Sequence, residues 1–281
     1  MKYVCTALLC ACSAVPFLTA QTADEIMARV AANQDRAQSV RSTFVYRQNL
    51  LVRMKRANGK LAREEIRDYT VTPAEDSSNK ELTHVAGKYE KDGKLFEYSK
   101  PEFRHKDIDM DGEIMESLAD DFANDGKSRD GIDRDMFPLT AKHQRGYNFH
   151  LHGREKYKDA EVFRIAFEPK AKEADEDNCW AGEALIDAGE FQPVLVTTHL
   201  AKGIPLLVKT LLGTDLKQVG FKVSYREFDE GLWFPVSYGG ELKVRALFLY
   251  ARSLSISVVN SDFQRTKVQS AVSFDKPVEA P

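Results

Sequence analysis

The chain has 281 residues, of which 43% are hydrophobic and 30% are charged, and its formal net charge is −3. This length is sufficient for one large hydrophobic core. The near-balanced charge, with Lys and Arg spread along the chain, offers no basic face for a nucleic acid, so no nucleic-acid partner is predicted.

The first twenty residues are predicted to be a signal peptide. Lys2 precedes an apolar stretch, YVCTALLCACSAVPFL, that Pro16 interrupts and that is too short to span a bilayer. We expect cleavage after Ala20, with export of the mature protein to the periplasm. The letters LCAC resemble a lipobox, so a lipid anchor on Cys12 is the alternative.

The mature chain begins with a predicted amphipathic helix of about four turns. Thr22 and Glu25 have the spacing of a capping box, in which each side chain bonds the backbone N–H of the other residue. Ile26, Met27 and Val30 share one face of this helix, which is therefore expected to pack on a sheet.

Alternating hydrophobic and polar residues next predict two β-hairpins. The letters NG at 58–59 and DG at 92–93 are strong turn signals between the strands of each hairpin. The aromatic and aliphatic residues expected on the apolar faces of these strands are Phe44, Tyr46, Leu50, Val52, Phe96 and Tyr98.

An acidic segment at about 105–140 interrupts the β pattern. It is predicted to be an insert within one domain that spans 21–281, with a short helix across 113–122. The sequence on either side shows no linker that would separate two cores.

Three aspartates in this segment have the spacing of a calcium ligand set. Asp107, Asp109 and Asp111, followed by Gly112, resemble the opening of an EF-hand loop. Leu118 stands where that loop requires a bidentate Glu, so no metal site is predicted and an acidic surface loop is favoured. These aspartates remain the candidates if a cation binds.

No catalytic motif is present in the sequence. It contains no H-E-x-x-H, no G-x-S-x-G and no Gly-rich phosphate loop. His150 and His152 would project from the same face of a strand, but no third metal ligand follows at a suitable spacing. We therefore predict no cofactor and no enzymatic activity, and an enzyme on this scaffold would have to use these histidines or the aspartates.

The second half of the chain predicts an antiparallel meander with one apolar face, mainly from Gly182 to Asn260. The run from Gly203 to Val219 interrupts its alternation, and Leu207 and Leu211 lie there on an approximate helical stripe. Two interpretations stay open for this run: a buried crossover helix, or a mobile lid on an apolar cavity.

Four stretches, in their order along the chain, resemble the periplasmic outer-membrane lipoprotein carrier and sorting superfamily, the LolA/LolB-like proteins. They are AQSVRSTFVYRQ, DGKLFEYSK, GEALIDAGEFQPV and VSYREFDEGLWFPVSYGG, and they are distributed over most of the mature chain. The resemblance implies an α+β, mainly β fold: a strongly curved antiparallel sheet, or incomplete barrel, with helices covering its concave side. It also implies that acyl chains bind between the sheet and the helices.

We therefore predict an exported, monomeric protein of the carrier or sorting type that binds the acyl chains of a lipid or lipoprotein. The residues expected to line its apolar cavity are Phe44, Tyr46, Leu50, Val52, Phe96, Tyr98, Phe149, Leu151, Leu207, Leu211 and Trp233. The alternative is an envelope-stress sensor or regulatory module that presents the same sheet to an envelope protein partner.

Overall fold

The structure, a computed structural model, describes residues 21–73, 78–123, 137–170, 180–201, 220–229, 231–246 and 250–266. Within these ranges, eleven strands form one antiparallel sheet. The strands are β1 (Phe44–Arg56), β2 (Leu61–Pro73), β3 (Ser78–Lys91), β4 (Lys94–Tyr98), β5 (Tyr147–Tyr157), β6 (Ala160–Pro169), β7 (Trp180–Asp187), β8 (Pro193–Leu200), β9 (Gly220–Asp229), β10 (Leu232–Ala246) and β11 (Tyr250–Arg265).

The strand order shows how the two halves of the chain meet. It runs β4-β3-β2-β1-β11-β10-β9-β8-β7-β6-β5, so the first and last strands pair within the sheet, with three strands on one side of the pair and six on the other. Strands β4 and β5 are the two edges, and the sheet does not close into a barrel. The predicted α+β, mainly β fold, a curved antiparallel sheet with helices on one side, is confirmed.

The two predicted hairpin turns have the backbone that their residues favour. Gly59 has φ +79° in the β1–β2 turn, and Asp92 and Gly93 have φ +52° and +79° in the β3–β4 turn. Left-handed backbone of this kind matches the twist of paired antiparallel strands, which is why NG and DG predict hairpins so well.

Helix α1 (Ala23–Arg41) begins at the predicted capping box, since the Thr22 N–H donates to Glu25 and the Glu25 N–H donates to the Thr22 hydroxyl. Its buried stripe packs over β5 and β10. The Asn33 side-chain amide donates to the carbonyls of Glu190 and Phe191, which joins the helix to the β7–β8 turn.

Helix α2 (Met110–Ala123) starts earlier than the predicted 113–122, because Asp109 caps it. The Asp109 carboxylate accepts from the Gly112 N–H at 3.1 Å and thereby satisfies one of the free donors of the first turn. A one-turn helix, α3 (Ala141–Gln144), precedes β5. None of the helices in the described part of the chain is both long and apolar enough to cross a membrane.

One main hydrophobic cluster lies against one face of the sheet, which we call the inner face and define by Leu50, Val52 and Met54. Helices α1 and α2 contribute to this cluster, and so does the stretch that follows the acidic segment, through Phe137 and Leu139. The acidic segment therefore contributes to the core both before and after its residues 124–136, which lie outside the described ranges. The predicted signal peptide, Cys12 and the run from Gly203 to Val219 lie outside the described residues.

Candidate functional site

An aliphatic surface on the inner face is formed by β1 and β11, which lie between β2 and β10. We call it the central strip, and its paired residues are Leu50 with Val258, Val52 with Ile256, and Met54 with Leu254. All six side chains are at most 3% exposed. Val259, the next residue along β11, points to the opposite face and is 45% exposed. One face of this strand is therefore buried, and the other is accessible to water.

The central strip lies between the areas that the two long helices cover. Helix α1 packs on β5 and β10, and α2 packs on β2. In the described part of the chain, the main sheet contacts of both helices are therefore on strands other than β1 and β11.

The structure brings together only part of the predicted cavity lining. Tyr46, Leu50 and Val52 belong to the main cluster, and Phe149 and Leu151 pack against it while partly buried. These five residues share the inner face as expected, although their contact with a ligand stays a prediction.

The remaining predicted lining residues lie elsewhere. Phe44 joins a second, smaller cluster with Phe234, and the half-buried Trp233 donates its indole N–H to Glu190 at 2.7 Å. Phe96 is 43% exposed on the edge strand β4. Leu207 and Leu211 fall outside the described residues, so their predicted role is unchanged.

Tyr98 belongs to a buried polar network beside the central strip, which we call the polar corner. At its centre Arg63, 1% exposed, donates to the Tyr98 hydroxyl at 2.8 Å and to Asp109 at 2.9 Å. The third donor group of Arg63 reaches the Phe103 carbonyl at 2.7 Å, and the Tyr98 hydroxyl in turn donates to Glu65 at 2.5 Å. Every charge at this position therefore has a partner, as burial of charge requires.

A second arginine of β2 joins the same network to α2. Arg67 donates to Glu65 at 2.6 Å and to Glu116 at 2.7 Å, and Glu116 lies on the second turn of the helix. Burial opposes the charge on Arg67, but the hydrogen bonds and charges of Glu116 and Glu65 outweigh it and raise the pKa of Arg67. Arginines on β2 thus hold the N-terminal half of α2 to the sheet.

The carboxylates of this network are stabilised in their ionised form. Burial alone would raise the pKa of Asp109, but the backbone N–H groups of Gly112 and His105, the His105 ring and Arg63 lower it overall. Burial likewise opposes ionisation of Glu116, and the hydrogen bonds from Arg67 outweigh this effect and lower its pKa. Both pairs therefore favour the folded state only while the carboxylates are charged.

We expect the attachment of α2 to weaken at acid pH. A carboxylate whose folded-state pKa is lowered stabilises the fold fully above its unfolded value, here the ordinary 3.8 of Asp and 4.5 of Glu, and loses this contribution as the pH falls through the lowered pKa. Urea unfolding of wild type and Glu116→Gln at pH 7, 5 and 3 measures it. The stability difference between the two proteins should shrink toward pH 3; an unchanged difference would contradict the assignment.

Two of the three aspartates that resemble a calcium loop bind arginine side chains in the structure. Asp109 pairs with Arg63, and Asp111 accepts from Arg252 at 2.8 and 3.0 Å and from the Tyr250 hydroxyl at 2.6 Å. Asp107 is exposed. Within the described ranges, no three His, Cys, Asp or Glu side chains are grouped closely enough to hold a metal ion.

The two histidines singled out in the sequence lie at the surface. His150 and His152 are both exposed on β5, and the Nε2 atom of His150 is 3.9 Å from a carboxylate oxygen of Glu168. Any enzymatic use of this pair would therefore take place at the open edge strand rather than in a pocket.

The polar corner is the feature that sequence reasoning missed. Arg63, Glu65 and Arg67 have the same parity in β2 as the buried Tyr69 and Val71. Residues two apart on a strand share a face, so these charged residues lie on the same face as the buried apolar ones. Charges at such positions were the signal in the sequence that could have indicated a buried polar network. Their partners lie on α2 and β4, distant in sequence, and no local pattern identifies them.

Comparison with known proteins found no matching family model and no matching curated protein. Among solved structures, the chain is similar to an outer membrane lipoprotein-sorting protein domain from Vibrio parahaemolyticus, with 11% identity, a TM-score of 0.44 and coverage of 88% of this chain and 95% of the other. It is also similar to a LolA superfamily protein from Nitrosomonas europaea, with 13% identity, a TM-score of 0.38 and coverage of 89% of this chain and 96% of the other. The predicted superfamily is represented among the matches.

A third similar structure is a DUF1329 family protein from Desulfovibrio piger, with 12% identity, a TM-score of 0.43 and coverage of 89% and 96%. Each of these three alignments extends over most of both chains. All three TM-scores are below 0.5, so the function proposed next rests on the geometry of this chain and not on these similarities.

Proposed function

We propose that this chain is an exported, non-enzymatic protein of the periplasm that binds acyl chains of a lipid or lipoprotein between its inner face and its helices. The observation that supports the proposal is the central strip. It is aliphatic on both β1 and β11, and it lies between the areas covered by α1 and α2.

The energetics of this surface suit an acyl chain. Each methylene moved from water to an apolar environment contributes about 0.8 kcal/mol. Ten methylenes laid along the strip would therefore contribute roughly 8 kcal/mol before the cost of ordering the ligand and the protein is subtracted. An extended chain also matches the elongated shape of a strip that follows two strands.

Access to the strip requires a movement of its cover, since its side chains exclude water in the present conformation. In the proposal α1 acts as a wall, held to the β7–β8 turn by Asn33. The lid is the run from Gly203 to Val219, which stays a prediction from the sequence.

Native mass spectrometry of the full chain purified from an envelope fraction tests the function directly. We expect a bound mass that dissociates as one or more lipids or as an acylated protein. Protein that carries no lipid, and that takes up none from vesicles of an envelope lipid extract, would refute acyl-chain binding and favour the regulatory module that binds a protein partner.

Filling the space above the central strip should block the ligand. Val258→Phe adds a ring on the inner face, and Val259→Phe adds the same ring on the outer face of the same strand. We expect Val258→Phe to reduce lipid co-purification at least about tenfold, because its ring occupies the space that the acyl chain needs. The lipid-free variant should also lose about 1–3 kcal/mol of stability, because Val258 is 3% exposed in the main cluster and the larger ring strains its packed neighbours.

The control variant Val259→Phe should keep the lipid. Val258→Phe protein that carries as much lipid as wild type would place the acyl chain away from β11. Urea unfolding and lipid quantification on the same samples provide both values.

A further inference from the structure

A cavity of about 250 Å³ lies at one end of the central strip, and we call it the corner pocket. Its floor includes Arg56 on β1 and Arg252 on β11, which pair with each other in register. Arg56 follows Met54 by two residues and Arg252 precedes Leu254 by two. Because the strands are antiparallel, both arginines lie about 7 Å from that pair in the same direction and on the same face. The inner face therefore changes from aliphatic to basic along its strands.

The pocket carries more positive than negative side chains. Its carboxylates Glu90, Asp109 and Asp111 are each paired with an arginine of the pocket, namely Arg56, Arg63 and Arg252. Lys106 also lines it and, in the part of the chain that the structure describes, makes no hydrogen bond or ion pair. An incoming anion would thus meet one unpaired cation and two arginines beside it.

Apolar side chains surround this basic pocket. Ile108 lines it and is 75% exposed, and Phe96, 43% exposed, stacks on the pocket residue Tyr89 with 5.6 Å between ring centroids. Ala62, a member of the main hydrophobic cluster, is also part of its wall. A free inorganic anion would contact only the basic side chains of the pocket. An amphipathic molecule would contact both the basic side chains and the apolar rim.

The size of the pocket restricts its ligand further. Sites that enclose a whole drug-sized molecule measure roughly 300–1,000 Å³. A volume of about 250 Å³ is too small for an acyl chain with its head group, but it accommodates a head group alone.

We propose that the corner pocket binds the phosphate of a lipid head group, with Arg56, Lys106 and Arg252 as donors, while the acyl chain of the same molecule lies on the central strip. This inference rests on the proposed function. Guanidinium and ammonium groups form strong charge-assisted hydrogen bonds with phosphate, and the apolar rim contacts the glycerol and first methylenes.

Isothermal titration calorimetry of the full mature chain tests the pocket with three probes. They are dihexanoylphosphatidic acid, dihexanoylglycerol with the same chains but no phosphate, and inorganic phosphate. Wild type should bind the phosphatidic acid at least about tenfold more tightly than the diacylglycerol, because charge-assisted bonds of this kind contribute that much.

The variant Arg56→Gln/Lys106→Gln should lose most of this preference and keep its affinity for dihexanoylglycerol. The matched control Lys55→Gln/Lys156→Gln removes the same charge from exposed positions on β1 and β5 that do not line the pocket, and it should keep the preference. Unfolding curves of both variants establish that the fold is intact.

Three results would overturn the head-group site alone, and a fourth would also refute acyl-chain binding. Equal affinity for the two lipids, or equal behaviour of the two double variants, removes the head-group site while leaving acyl-chain binding in place. Inorganic phosphate that binds as tightly as the phosphatidic acid makes the pocket a site for a free anion. Absence of binding by both lipids refutes the proposed function together with the pocket.

Discussion

Replacing Asp109 with alanine is expected to lower the free energy of unfolding by about 3–5 kcal/mol, because the substitution leaves a buried arginine without its carboxylate. Arg63 and Asp109 are both 1% exposed and lie 2.9 Å apart. The same substitution removes the side chain that accepts from the Gly112 N–H at the start of α2. Urea unfolding at pH 7, followed by far-ultraviolet circular dichroism, measures the change.

Asp107→Ala is the matched control for this substitution. Asp107 belongs to the same run of aspartates but is exposed, so its replacement should change stability by no more than about 0.5 kcal/mol. A loss below about 1 kcal/mol for Asp109→Ala would contradict the structural role of the pair.

A double substitution separates the ion pair from simple packing. Arg63→Met/Asp109→Leu replaces both charges with apolar side chains, and such replacements of buried pairs are often neutral or stabilising. We expect it to recover much of the stability that Asp109→Ala loses. Failure to recover would show that the Tyr98 and Phe103 contacts of Arg63, rather than its charge balance, hold this corner.

Leu50→Ala is expected to cost about 2–5 kcal/mol, because it removes three carbons from a side chain that is 1% exposed in the main cluster. Leu51→Ala is the control, since Leu51 is the next residue of β1, points to the outer face and is only partly buried. We expect it to cost about 1 kcal/mol or less. Thermal and urea unfolding of lipid-free protein measure both.

The same pair of variants responds differently to ligand if acyl chains lie on the central strip. A ligand that binds only the folded state stabilises it by about 2.7 kcal/mol at one hundred times its Kd. The extra space in Leu50→Ala admits the chain, so added lipid should offset part of its loss, whereas Leu51→Ala should gain only as much as wild type. Equal gains in all three proteins would place the ligand away from Leu50.

Local signals in the sequence were sufficient for most secondary structure. The capping box at Thr22, the hairpin turns at 58–59 and 92–93, and the alternation of β1 each depend on residues close in the chain. The start of α2 was placed three residues too late, because an aspartate read as a metal candidate is the residue that caps the helix.

The sequence by itself determined that one face of a large antiparallel sheet is apolar, since side chains two apart on a strand must share a face. Only the tertiary structure decided where that face ends. The pairing of β1 with β11, some 200 residues apart, sets Arg56 beside Arg252, and the packing of α2 on β2 sets Asp109 beside Arg63. Contacts between residues so far apart depend on register and helix docking, which no local pattern encodes.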